Sequence, residues 1–327
     1  MTAKNMLPAT MQVRQAARAQ LTKFKPADLV LVACSGGADS LALAKAVSLE
    51  APMANLSAGA IVVDHGWSKE AGEVVATTVT TLEEMGLAPV VAVKLPAHER
   101  SETAARSLRY TALQEVAIKT KARAVFTAHT QNDQAETLLM RLARGSGTTS
   151  LAGIPRQRDI FFRPLLGVSR ETTQAACAEW SLSFWQDPAN EDLSHTRVKV
   201  RKIALPALVE ALGESVIQGL TRSADLLRDD AEVLDSLSMQ VFDLVFDQKS
   251  QRLNAEKLSQ EQPAIARRVL LTWISQRGVP RAELNYLHAT QLQTLLSQTL
   301  NSIRIALPAG FTARREGADL LCEKVSQ

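Results

Sequence analysis

The chain has 327 residues, 46% of them hydrophobic and only 4% aromatic, with 37 Lys and Arg against 34 Asp and Glu for a net charge of +3. That length predicts about two domains built around mostly aliphatic cores. The three cysteines, Cys34, Cys177 and Cys322, form no CxxC pair, which argues against a zinc ribbon or a Cys-ligated cluster and suits a reducing cytoplasm. No apolar run reaches the roughly 18 residues of a membrane helix, so no membrane association is expected. The charge is unevenly spread: residues 1–205 carry 24 basic against 19 acidic residues and the remainder 13 against 15, so the first part is the expected partner of a polyanion.

The first 27 residues contain Lys4, Arg14, Arg18, Lys23 and Lys25 and no acid. A transit peptide can have this composition; an amphipathic first helix is the expectation preferred. Residues 29–33 are an apolar run typical of a buried strand, and residues 41–47 begin a helix. Further strands are predicted at 59–63, 89–93, 124–128 and 160–163, and helices at 70–85, 101–120, 133–144 and near 170–181. Strands alternating with helices predict an α/β fold, a doubly wound parallel sheet covered on both faces, with ligands at the carboxyl ends of its strands. From Leu205 onward, Leu, Ala and Val recur at helical spacing to about residue 245, then over 263–276 and 283–297, and residues 303–310 alternate and turn as a hairpin does. The expected division is therefore a catalytic domain over 1–205 and a mainly helical domain with a small terminal hairpin over 206–327.

The turn between the first strand and helix reads Cys34-Ser35-Gly36-Gly37-Ala38-Asp39-Ser40. Two glycines let the backbone approach a ligand closely. The helix start offers unbonded N–H groups and a positive dipole end, so this is a phosphate site. No Gly-Lys-Ser/Thr follows, so it is not a Walker A loop. A carboxylate at Asp39 beside phosphates makes chemical sense with a bridging Mg²⁺. Asp64-His65-Gly66 and His129 close other strands at the same edge. Asp133 and Glu136, three apart near a helix start, face the same way and suit an ammonium group; helix-dipole acids would look the same. Glu102, Arg106 and Arg109 share a helix face that suits either a nucleotide or a solvated salt-bridge surface. Residues 141–170 contain Arg141, Arg144, Arg156, Arg158, Arg163 and Arg170 against one acid, Asp159, and Arg197, Lys199, Arg201 and Lys202 form a second basic cluster. Both suit an RNA backbone, and both could equally be solvated faces.

The SGGxDS loop resembles that of the ATP pyrophosphatases, which cleave ATP between the α and β phosphates. In order, SGGADS, VDHG, ETAARSLRY, TAHTQNDQAETLLMRLARGSGTTSLAGI, RPLL, WQDPAN and RVKVRKIALPAL are similar to the motifs of the tRNA(Ile)-lysidine synthetase family, densely over about 28–212 and more loosely in the helical part and the LPAGFTARREG hairpin. The resemblance implies a two-step reaction. ATP activates the carbonyl at carbon 2 of the wobble cytidine of a tRNA(Ile) with a CAU anticodon, giving an adenylated base and pyrophosphate, and the L-lysine ε-amine then attacks that carbon and AMP leaves. It implies ATP at Ser35, Gly36, Gly37, Ala38, Asp39, Ser40, Asp64, His65, Arg106 and Arg109. It also implies catalysis by Asp39, Asp133 and Glu136; lysine at His129, Asp133 and Glu136; tRNA at Arg141, Arg144, Arg163, Arg197, Lys199 and Arg201; and Mg²⁺ at Asp39. A homodimer is left open.

The chain also departs from the family pattern. Where many members read HHxDDQ it has Thr130 and Asn132, and the RNRIR-like run becomes Arg197-Val198-Lys199-Val200-Arg201. It ends too early for the third C-terminal domain of some members, so acceptor-stem recognition would fall to the helical domain. The rival readings are a sulfur-transferring tRNA-modifying pyrophosphatase, which would need a cysteine or cluster, and a nucleotide sensor without chemistry, which would not need Asp39, Asp133 and Glu136.

Overall fold

A computed structural model describes residues 8–64, 71–96, 102–297 and 303–325. The chain divides into two compact units, one of residues 1–140 and 153–224 and one of residues 141–152 and 225–327. Helix α1 (Ala9–Leu21), predicted from the basic N-terminal stretch, precedes β1 (Leu29–Cys34), α2 (Ala38–Glu50), β2 (Ser57–Asp64), α3 (Ala71–Glu84), β3 (Val90–Lys94), α4 (Glu102–Thr120), β4 (Ala124–Thr127) and α5 (Gln131–Leu142). After α6 (Thr148–Leu151), which belongs to the second unit, come β5 (Gln157–Arg158), β6 (Phe161–Phe162), α7 (Arg170–Glu179), α8 (Thr196–Lys199), a π turn over Val200–Ala204 and α9 (Leu205–Leu212).

The sheet order is β3-β2-β1-β4-β6-β5. All neighbours are parallel except β5 against β6. The hairpin edge β5–β6 is four residues in all, too short for periodicity to announce its first strand. Side chains alternate across the sheet as a pleat requires. Val30, Val32, Ala60, Val62, Ala124 and Phe126 pack with α1, α2 and α7 on one face. Leu31, Ile61, Val125 and Phe161 pack with Leu113, Val116 and Ala117 of α4 on the other. The first helix is fastened by charge at two places. Glu50, 2% exposed, accepts from Arg14 Nε and Arg18 Nε at 2.6 Å each, and Glu179 caps the helix by accepting from the amides of Ala9 and Thr10 at 3.1 and 3.0 Å.

Helix α10 (Val216–Val245) runs from the first unit into the second, which continues with β7 (Phe246–Asp247), β8 (Arg252–Asn254), α11 (Ala255–Leu258), α12 (Pro263–Gln276), α13 (Tyr286–Ser297), β9 (Arg304–Leu307), β10 (Phe311–Glu316) and β11 (Asp319–Lys324). The terminal hairpin expected from sequence is part of a larger antiparallel sheet, β7-β8-β11-β10-β9, because β11 also pairs with β8 through Asp319 and Leu320. Strands of two and three residues leave no alternation to read. The core of this unit centres on Trp273, fully buried, with Val269, Leu270, Leu292 and Leu320. The Trp273 indole N–H donates to the Gln251 carbonyl at 3.3 Å. Among the described residues no single helix is long and apolar enough to cross a membrane.

Candidate active site

In the first unit the strand order reverses between β1 and β4, and the crevice of an open parallel sheet lies at that reversal. The loop after β1 and the segment after β4 therefore share one cavity of about 870 Å³, whose wall includes Ser35, Gly37, Asp39, Ser40, Arg109, His129, Asp133, Arg170 and Arg201.

The loop is shaped from within. Gly36 has φ +80°, and a Cβ there would lie 2.6 Å from Thr78 Oγ1, so only glycine fits. Ser40, expected to contact ATP, is 6% exposed. Its hydroxyl donates to Gly37 O at 2.9 Å and accepts from Ser35 N–H at 3.2 Å, so its side chain staples the loop. The first intrahelical bond of α2 is Leu41 N–H to Gly37 O. The amides of Ala38, Asp39 and Ser40 precede it and make the helix N-terminus an anion site. Asp39 accepts from the Thr173 hydroxyl and has Arg170 Nε at 3.7 Å. Burial pushes its carboxyl above the ordinary value, with Asp133 adding to the rise and Thr173 and Arg170 opposing it.

Across the cavity, the first turn of α5 presents the second acidic group. Thr130 N–H and Oγ1 donate to Asp133 Oδ2 at 2.8 and 3.1 Å. Asp133 Oδ1 accepts from Arg170 Nη2 at 3.2 Å and Arg197 Nη2 at 3.0 Å. Burial pushes this carboxyl up, but Arg170, Arg197 and His129, with the Thr130 amide, more than offset it, and the result is below the ordinary value. Glu136 is fully buried and does not line the cavity. Its oxygens accept from Arg170 Nη1 at 3.2 Å, Arg197 Nε at 2.9 Å and Arg201 Nε at 2.7 Å. The two carboxylates are thus separated in role by position: Asp133 faces the cavity and Glu136 stands behind it, holding three arginines. His129 lies on the cavity wall with Nδ1 at 3.1 Å from Thr127 Oγ1. Burial, with Arg163, Arg106 and Arg109 assisting and Asp133 opposing, holds its pKa down to about 3, so the ring is neutral at physiological pH.

Other expected residues divide by position. Arg109 lines the cavity, while Arg106 stacks on Tyr110 with its guanidinium 5.1 Å from the ring centroid. Asp64 ends β2, but Ile61 and Val63 of that strand form the wall. His65, Gly66 and the side chain of Glu102 lie outside the described residues. Several of the residues expected to contact tRNA are engaged within the protein. Arg163 is 4% exposed, with Nη1 donating to Pro155 O at 2.9 Å. Arg197 and Arg201 turn inward to Asp133 and Glu136 because a buried carboxylate pair requires cations. Arg141 donates to Ser150 O at 2.5 Å within the second unit. Arg144 and Lys199 are solvent-exposed.

Sequence reasoning misses Arg170 and Thr173 as site residues, since Arg170 is there only one of six arginines. The signal for both is local: Ser169 caps α7 by accepting from Thr172 N–H at 3.2 Å, which places the next residues at the edge facing the loop. Cys34 and Cys177 are buried and their thiols are held up by burial, Cys177 to about 11, which makes neither a ready sulfur carrier.

The loop lies at the switch point of a parallel sheet, where nucleotide-binding α/β folds place theirs, and residues 9–208 match the PP-loop domain family, which makes the chain a PP-loop enzyme that uses ATP. Residues 253–321 match the TilS substrate binding domain. The chain is similar to the tRNA(Ile)-lysidine synthases of Salinispora arenicola, 40% identical over 322 residues and 96% of each chain, and of Streptomyces coelicolor, 41% identical over 300 residues, 90% of this chain and 85% of that one. It belongs to the tRNA(Ile)-lysidine synthase family. Among solved structures, the U34-tRNA thiolase NcsA from Methanococcus maripaludis, with its 4Fe-4S cluster, has a TM-score of 0.57 at 16% identity, covering 68% of this chain and 80% of that one; at that identity it shares the fold alone.

Proposed function

We propose that this protein ligates L-lysine to the wobble cytidine of tRNA(Ile) with a CAU anticodon, releasing pyrophosphate and then AMP. The observation that carries the reading is the pairing, in one cavity, of an anion-binding helix start at residues 38–40 with a cation-binding carboxylate at Asp133. In the first step the cytidine carbonyl oxygen attacks the α-phosphorus, and the amides of Ala38, Asp39 and Ser40 stabilise the charge that develops on departing pyrophosphate. Asp39 is the loop's carboxylate, and a Mg²⁺ held there together with phosphate oxygens and water would neutralise the triphosphate. Arg109 lines the same wall, which supports its reading as a nucleotide contact.

In the second step the lysine ε-amine attacks carbon 2, and the bond to the adenylyl oxygen breaks so that AMP leaves. Adenylation makes this possible by converting a poor leaving oxygen into a good one. Asp133 binds the lysine ammonium side and orients the nucleophile. Glu136 supports it at one remove, through Arg170, Arg197 and Arg201. Exposed Arg144 and Lys199 are the better candidates for tRNA phosphates. We place the reaction in the cytoplasm, where the buried free thiols Cys34, Cys177 and Cys322 stay reduced. The test is mass analysis of tRNA nucleosides after incubation with ATP, Mg²⁺ and lysine. Cytidine gaining one lysine with loss of water supports the reading; unmodified cytidine with full tRNA and ATP binding overturns it.

A further inference from the structure

The first turns of α5 and α7 are joined by one side chain. Asn132 is 6% exposed. Its Oδ1 accepts from the Arg170 backbone N–H at 2.9 Å, and its Nδ2 donates to Glu171 Oε1 at 3.3 Å. Both ends of the amide are thus used, each on a neighbouring residue of α7, and only one orientation of the amide serves both partners. The residue held in this way, Arg170, is the one cation among the described residues that is ion-paired with all three carboxylates of the site: Asp39 at 3.7 Å, Asp133 at 3.2 Å and Glu136 at 3.2 Å. Asp39 and Asp133 repel one another across the cavity, and the guanidinium shared between them opposes that repulsion.

We propose that Asn132 is a positioning residue of the lysine step. It fixes the first turn of α7 so that Arg170 is aimed between Asp39 and Asp133, and so presents Asp133 to the incoming ammonium in one geometry. The proposal rests on the reading of Asp133 as the lysine-binding carboxylate. The residue type matters. An aspartate would still accept from the Arg170 amide but would set a second carboxylate against Glu171. An alanine would leave a first-turn N–H of α7 without its partner.

The same geometry predicts its own rescue. In Asn132→Asp combined with Glu171→Gln, the donor and acceptor exchange places. The amide introduced at position 171 donates, the carboxylate introduced at position 132 accepts, and the Arg170 amide keeps its acceptor. The experiment measures steady-state kinetics with full-length protein, tRNA and ATP for N132D, E171Q, N132D/E171Q and D133N, alongside melting temperatures. The apparent KM for lysine should rise about tenfold in N132D, the size of a compromised hydrogen bond to a charged group, with the KM for ATP within about threefold of wild type. The double variant should return the lysine KM to within about twofold of wild type, a coupling that independent sites do not show. An unchanged lysine KM in N132D, or a raised one that E171Q does not rescue, overturns the proposal while a raised KM in D133N leaves the lysine site standing. An unchanged KM in D133N overturns the lysine reading itself. Should N132D fail to fold, the double variant decides: a near-native lysine KM supports the latch, and a KM raised as in D133N overturns it.

Discussion

The two compact units have similar aliphatic cores and put their charges to opposite uses. In the first, the strands of β1, β2 and β4 run the same way, so the turns that follow them converge on one edge and build the 870 Å³ cavity. In the second, the sheet is antiparallel throughout, neighbouring strands end on opposite sides, and the pocket beside β7 and β8 measures about 210 Å³. Its buried arginine, Arg315, donates to the carbonyls of Leu295 and Leu296 at 3.3 and 3.0 Å and so finishes α13 instead of awaiting a ligand. Buried charge in the first unit is gathered at a shared edge where a substrate can meet it. Buried charge in the second unit is committed to a helix end. Parallel topology gathers the loops of the first unit at one edge, and antiparallel topology spreads those of the second over two.

The contrast can be broken most sharply at Asp39. Asp39→Asn keeps the side chain's shape and its Thr173 partner but removes the charge, and pyrophosphate release should fall by a factor of about 100 or more with the melting temperature retained; release at the wild-type rate would remove Asp39 from the first step. Next come the two carboxylates of α5, which should separate by readout. Asp133→Asn should weaken lysine use by about 2–5 kcal/mol and lower the melting temperature less than Glu136→Gln does, because Arg170 and Arg197 keep Glu136 as a partner. Glu136→Gln should lower stability by about 3–5 kcal/mol, because it removes the buried charge paired with three part-buried arginines and turns one acceptor oxygen into a donor facing them. If thermal denaturation shows Glu136→Gln as stable as wild type, the supporting role assigned to it is wrong.

In the second unit, Trp273→Ala should cost about 3–5 kcal/mol by opening the centre of its core. Calorimetry should show that loss while nucleotide titration gives an unchanged ATP affinity, and a lost ATP affinity would mean that the two units do not divide the work in this way. The smallest effect concerns RNA. Arg144→Ala with Lys199→Ala should flatten the logarithmic salt dependence of tRNA binding by about 1–2 units, since each phosphate contact contributes roughly 0.7–0.9. Arg201→Ala should leave that slope unaltered and damage lysine use instead, and a slope change in that variant would return Arg201 to the RNA surface.

Much of the first unit is legible in the sequence because its signals are local. The strand, the two glycines and the helix start of residues 29–47 lie side by side, and a run of such units admits few topologies. The acidic pair of α5 is visible from its three-residue spacing. The division of labour within it is not, because that depends on Arg170, Arg197 and Arg201, which lie 34 to 65 residues further along the chain. A basic cluster facing a buried carboxylate and one facing solvent have the same composition. Thr130 and Asn132 illustrate the same gap: as departures from a motif they carry no reading, yet one caps Asp133 and the other holds α7. In the second unit β7 and β8 leave no sequence signal because their pairing partners, not their own residues, make them strands.

The α/β class, the phosphate loop, the candidate acids and the family are each written in contiguous residues, whose backbone preferences and spacing act over one or two turns. Which acid faces the cavity, which arginines are neutralised inside and which remain exposed to solvent are settled by packing between distant segments. Those outcomes follow from desolvation: a charge removed from water must find a partner, and the nearest partner in space is set by how the helices pack, not by distance along the chain.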